Sequence, residues 1–274
     1  MAPQTKGMLV GYDLVWVDGT HVKIGYQASL DGLISACRDS TNNYTIELTD
    51  YLTLDLMSAG ANGRDYGGLP ANDMHQVFIV ADSNRILPTC GIISQTAAPI
   101  ISGDIGDIWR LVGYVSVDLN GLIRRFYQTP IGYSNTQRRI FYDVEDSDCQ
   151  ILRLGTSMVW ALIPLATFIP TLPSDSSFLG HFHCGVLVTS ATPYNYVYFK
   201  PNFGPGSPGG SPTTIPIVKF GTNALGMGFQ IYSAHEFDLP CDNNFIAYML
   251  TYPLGMDEVD VWITGFTYDI NSNF

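Results

Sequence analysis

Two histidines one residue apart, His181 and His183, form the most chemically suggestive pair in the chain. On a strand, residues i and i+2 share a face, so both imidazoles could meet one metal ion. No third ligand lies nearby: Cys184 falls on the opposite face, and His235, Glu236 and Cys241 are distant in sequence. Solvated or interface histidines are the better reading, and such a pair could respond to pH near about 6. His235 and Glu236 with Asp238 have the composition of a hydrolase site without its spacings. There is no His-Glu-x-x-His, no Gly-x-Ser-x-Gly and no P-loop. Asp143, Asp146, Asp148, Asp257 and Asp260 could in principle supply a glycosidase carboxylate pair, because such pairs come from separated strands. Acidic turns are more often solvated, and the ligand order of an EF-hand is absent. The residues therefore name no catalytic group, no metal ligand and no cofactor, and the chain is expected not to be an enzyme.

A different chemistry is offered by Tyr194, Tyr196 and Tyr198, which alternate with Asn195, Val197 and Phe199. On a strand the three phenols share one face. They could stack on sugar rings, form a subunit interface, or be half of a core. Phe203 follows in a stretch dominated by Gly, Pro and Ser, residues 201–216, that reads as an exposed loop or arm able to order against a neighbouring subunit. Tyr194, Tyr196, Tyr198 and Phe203 are the candidate interface or glycan contacts.

The elements that must carry these residues are strands. No stretch longer than about eight residues keeps helical apolar spacing free of Gly and Pro. Short alternating runs separated by turn residues predict an all-β protein of two β-sandwich or jelly-roll-like domains. The linker-like Thr129–Thr136 places the boundary so that residues 1–135 and 136–274 form the two domains. Asp18-Gly19 predicts a type I′ hairpin turn. Val77–Ala81 is expected to pair with Thr89–Ser94. Asn120-Gly121 predicts a second hairpin, closed by Phe126 and Gln128. Thr156–Leu165 reads as a strand rich in bulky apolar residues.

Composition narrows the function. The net charge is −12 and only 14% of residues are charged, with a pI near 4.5. A nucleic-acid binder needs a basic patch, and Arg124-Arg125 and Arg138-Arg139 are the only basic pairs. Each sits in strand-like context, where a salt-bridged or solvated role is expected, so no DNA or RNA contact is expected. Five dispersed cysteines without a Cys-x-x-Cys pair predict reduced, mostly buried thiols. The start Met1-Ala2-Pro3-Gln4 carries no apolar signal core and reads as a natural N-terminus. The longest apolar run, Met158–Ala166, is broken by Pro164 and is too short to span a membrane, so no membrane partner is expected.

One stretch organises the chain: Arg38-Asp39-Ser40-Thr41, the alternating Tyr44–Leu56, and the turn-rich Gly60-Ala61-Asn62-Gly63-Arg64-Asp65-Tyr66-Gly67-Gly68. It resembles a module of structural proteins of tailed bacteriophages, with Cys37 where that module has a small residue. The likeness continues through Trp109–Val115 and Asn120–Gln128 and faintly to Trp160–Pro170, covering about residues 30–170. The resemblance implies a virion part assembled in the host cytoplasm: a capsid decoration, head-fibre or tail/baseplate protein. It brings no catalytic residues. The implied partners are further copies of the chain in a homo-oligomer, a trimer among the options, and other virion proteins. A receptor- or carbohydrate-binding module on the virion surface is the alternative, and a polysaccharide depolymerase a third reading.

Overall fold

The computed structural model describes residues 9–10, 13–25, 35–39, 44–48, 50–68, 72–96, 98–130, 137–143, 146–169, 178–188, 195–201, 218–222, 231–241, 245–250 and 256–269. The protein is all-β, and a single helical turn, α1 (Asp146–Cys149), is the sole α-helix among these residues. The chain forms two compact units, Met1–Asp143 with Tyr268–Phe274, and Val144–Thr267.

The first unit contains β1 (Leu9–Val10), β2 (Leu14–Trp16), β3 (His21–Ile24), β4 (Ser35–Arg38), β5 (Thr45–Leu48), β6 (Leu52–Asp55), β7 (Gly63–Arg64), β8 (Met74–Ala81), β9 (Cys90–Ser94), β10 (Ile108–Ser116), β11 (Phe126–Pro130) and β12 (Gln137–Tyr142). They form sheets in the orders β1-β4-β5, β2-β3-β6 and β10-β8-β9-β7, and β11 pairs antiparallel with β12. Strands β8, β9 and β10 are buried almost throughout. Both of their faces are covered, which is why they read as continuous apolar runs and not as alternation. Two glycines let the β2-β3-β6 sheet approach. A Cβ on Gly113 would lie 2.6 Å from Leu14 Cδ1, and one on Gly91 2.6 Å from Leu54 Cδ1. Leu14 and Leu54, 2% and 0% exposed, fill the space that those glycines leave.

The pairing of β8 with β9 is the one expected from the sequence. Two turns differ. The β2–β3 connection is not a type I′ turn, because Gly19 lacks the positive φ such a turn needs at both central positions. Asp18 organises it instead: its Oδ1 accepts from the backbone N–H of Thr20 and His21, at 2.8 and 2.9 Å. The Asn120-Gly121 turn is present, with Gly121 at φ 78° and Asp118 N donating to Leu122 O. Phe126 and Gln128 do not close it, since they pair with Tyr142 and Ile140 of β12. The expected linker thus joins two paired strands, and the units divide after Asp143; residues 131–136 lie outside the described residues.

The second unit contains α1, β13 (Gln150–Leu152), β14 (Ala161–Pro164), β15 (Phe178–Val188), β16 (Asn195–Pro201), β17 (Val218–Thr222), β18 (Ile231–Cys241), β19 (Phe245–Leu250) and β20 (Met256–Asp269), whose last two residues count with the first unit. β15 lies between β18 and β20, with β13 on β20, and β14-β19-β16-β17 form a second sheet. Stacked rings join the two layers: Phe237 of β18 lies 4.6 Å from Phe199 of β16 and 5.3 Å from Phe182 of β15, centroid to centroid. The strand expected over Thr156–Leu165 is confined to Ala161–Pro164. The segment before it is held by irregular bonds, Gly155 N to Val259 O and Leu250 N to Ser157 O.

Candidate functional site

β16 alternates as its sequence dictates. Val197 and Phe199 are fully buried, while Tyr196 and Tyr198 are half-buried on the other face. Tyr194 and Phe203 lie outside the described residues. The Tyr196 and Tyr198 rings are 6.2 Å apart and tilted by 48°, so they do not make one flat stacking plane. Tyr198 sits opposite Met249, and Lys200 opposite Ala247. Trp160 covers both: Trp160, Ala247 and Met249 form a buried cluster against which Tyr198 packs. The Lys200 ammonium stands 4.3 Å over the Trp160 ring, a cation–π contact that seals the indole from above. The face is therefore partly self-covered. Tilted and partly covered, the phenols do not offer the open ring plane that sugar stacking uses.

The two histidines part company. His181 is 4% exposed, and both its ring nitrogens are occupied: Nδ1 lies 2.6 Å from Asp238 Oδ1, and Nε2 2.9 Å from the Thr267 hydroxyl. His183 instead packs against Trp262, with ring centroids 5.6 Å apart. The pair does not present two free imidazole nitrogens to one ion, and no group of three metal-ligating side chains occurs among the described residues. Asp238 belongs with His181 and not with His235, because β15 and β18 place His181 opposite Asp238. The extra residue Thr264, between the Phe182–Ile263 and His181–Gly265 pairs, is a bulge whose hydroxyl donates to His181 O at 3.2 Å.

Hydroxyl, imidazole and carboxylate in series is the order used to activate a nucleophile. Burial runs the wrong way for that use. The His181 side chain is 5% exposed and that of Asp238 54%, whereas nucleophilic catalysis needs an accessible hydroxyl and a shielded carboxylate. The trio is a cross-strand rung that satisfies a buried imidazole.

The polar residues of the organising stretch are likewise consumed by architecture. Asp39 is 1% exposed, and its Oδ1 accepts from Tyr44 N at 2.6 Å while its own N–H donates to Tyr44 O at 3.0 Å. Asn62 holds φ 58°. Its backbone exchanges with β6 and β9, through Asp55 N to Asn62 O and Asn62 N to Gly91 O, and its Oδ1 accepts from Gly91 N, each at 2.9 Å. A Cβ on Gly63 would lie 2.5 Å from Ser58 O. Arg64, 7% exposed, donates to Met57 O at 3.2 Å and to Gly68 O, closing the loop on itself. Asp65 Oδ2 accepts from Ile100 N at 2.7 Å.

The remaining candidates follow the same pattern. Asp143 pairs with Arg125 at 2.9 Å, and Asp260 accepts from Leu154 N at 2.9 Å. Asp148 is exposed, and the side chains of Asp146 and Asp257 lie outside the described residues. Arg138, 3% exposed, pairs with Asp13 at 3.1 Å, and Arg139 lies over the Phe141 ring at 4.4 Å. Arg124 donates to Ser116 Oγ and Val117 O, both at 2.8 Å. Cys90, Cys149, Cys184 and Cys241 are free and buried. Burial pushes the Cys184 and Cys241 thiols up to about 12, which suppresses the reactive thiolate. The rung on His181 and the stitch at Asn62 escaped the sequence reading. The rung joins residues 57 and 86 positions apart, and no local spacing signals that.

No protein-family model matches the chain, and no curated protein matches it. Among solved structures, it is similar to a Bacillus thuringiensis Cry1Da tryptic core variant, with TM-score 0.19 and 8% identity over 96% of this chain and 50% of that one. It is also similar to infectious bursal disease virus Gt strain, with TM-score 0.19 and 12% identity over 97% of this chain and 72% of that one. The chain thus spans half the length of the first, and likenesses this slight carry no argument about fold or function.

Proposed function

We propose that this chain is a structural component of a bacteriophage virion, a capsid decoration, head-fibre or tail/baseplate protein, that works by subunit–subunit binding. The observation that carries the reading is how the organising stretch is spent. Asp39, Asn62, Arg64 and Asp65, the polar residues through which it resembles phage structural modules, bond to the chain's own backbone. A run whose polar groups are spent on its own backbone and that offers no reacting group serves shape. Function is then binding, and its partners are further copies of the chain and other virion proteins.

The test is co-purification with particles. Phage particles banded on a density gradient should carry the chain at a fixed ratio to the capsid protein. Its absence from washed, infectious particles would overturn the reading. The alternative, a receptor- or carbohydrate-binding module, would have to use the half-buried Tyr196 and Tyr198. Binding to a glycan array that disappears in Tyr196→Ala would favour it.

A further inference from the structure

In the first unit, exposed apolar side chains gather on neighbouring segments. Val15 is 48% exposed, Val17 39%, Tyr127 53%, Leu122 39% and Leu119 84%. A groove of about 350 Å³ runs between Leu14–Val17 and Arg125–Gln128. The Asp118–Leu122 hairpin tip stands beside it: Ile123 N donates to Gly19 O at 2.6 Å, Trp16 Nε1 donates to Ile123 O at 3.2 Å, and Leu122 approaches Gly19. Groove and knob are thus adjacent on one surface.

We propose that this surface is a contact between two copies of the chain, in which the hairpin tip of each copy enters the groove between β2 and β11 of the other. This rests on the subunit-binding reading above and names its surface. Charge selects the occupant. Each copy carries −12, so two copies repel except where a surface is locally neutral or complementary. The groove's cation, Arg125, lies over the rings of Trp16 and Tyr127 at 5.3 and 5.8 Å; its Nε is 2.9 Å from Asp143 and its side chain is half exposed, open to a second carboxylate. The incoming tip carries Asp118, an acidic group that meets Arg125. The tip is also pre-formed: Asp118 Oδ1 accepts from Asn120 N and Leu122 N, both at 2.8 Å, so little order is lost on docking. A knob next to its own groove gives a reciprocal two-fold pair, whereas knob and groove on different faces would build rings or fibres.

Sedimentation velocity of the full chain over a concentration series tests it. The wild type should exceed the 30.1 kDa monomer, and Leu119→Asp should weaken association by about tenfold or more. Ile86→Asp, at an exposed turn elsewhere (81% exposed), should leave it unchanged. As a second measurement, a mixture of Val15→Cys chains and Leu119→Cys chains should give a covalent dimer joining one of each with a short bis-maleimide, since the four described native thiols are buried. A wild type that associates, with Leu119→Asp associating equally and no crosslink forming, overturns this contact and leaves subunit binding intact. A wild type that stays monomeric, forms no crosslink and is absent from particles overturns both.

Discussion

Asn62 occupies a left-handed conformation, φ 58°, that costs an ordinary L-residue about 1–2 kcal/mol, and its side chain also caps Gly91 N. The two contributions separate by mutation. Asn62→Gly should lose the side-chain bond alone, about 1 kcal/mol. Asn62→Ala should lose the bond and add strain, for about 2–3 kcal/mol in total. Urea unfolding midpoints order the pair, and an Ala variant as stable as the Gly variant would refute the strain. Asp18 makes a second case. Hydrogen bonds from Thr20 N, then from the His21 side chain, lower its carboxyl from 3.8 to about 2. A depressed carboxyl favours the native state above its ordinary value, and that contribution is lost as pH falls through about 2. Melting temperatures of wild type and Asp18→Asn should therefore converge as pH drops from about 4 to about 2. A gap that stays constant across that window would show that Asp18 is no ion in the turn.

Strands were legible where one face meets water and one the core. The alternation at β16 told which side chains share a face but not which face meets the core; Val197 and Phe199 are the fully buried ones. Partners were legible less often. β11 was expected to return on β10, but Phe126 and Gln128 pair with β12, since Val117–Ile123 closes as a single isolated bridge before the chain departs. Local turn chemistry fixed the reversal at Gly121 and could not fix how far pairing ran beyond it. The Asp18-Gly19 turn was misread for a related reason: the carboxylate of Asp18 competes with the two-residue turn by bonding Thr20 and His21. The His181 rung needs three strands in register and left no trace in any one of them. Packing between layers yields a further prediction. Phe199 is fully buried and stacked on Phe237, so Phe199→Ala should cost about 3–5 kcal/mol. Gly113→Val, which drives methyls into Leu14 and the Tyr268 hydroxyl, should cost about 1–3 kcal/mol by overpacking. Calorimetry on the two variants checks both figures, and a neutral Gly113→Val would mean that the β2-β3-β6 sheet is free to withdraw.

A chain with 46% hydrophobic residues and a net charge of −12 balances two opposed tendencies in solution: apolar surface draws copies together and charge holds them apart. The proposed contact is apolar with a single complementary pair, so its salt dependence is determined by the repulsion of the rest of the chain. Raising ionic strength from about 0.01 to 1 M shortens the screening length from about 30 to about 3 Å. Repulsion between copies fades while apolar attraction does not, so association of the wild type should strengthen with salt. A contact built mainly on ion pairs would weaken over the same range. Sedimentation across a sodium chloride series separates the two, and Leu119→Asp should associate about tenfold or more weakly than the wild type at every salt concentration, because it removes the apolar knob and adds another negative charge. Association that falls steadily with salt would replace the apolar knob with an electrostatic surface elsewhere on the chain.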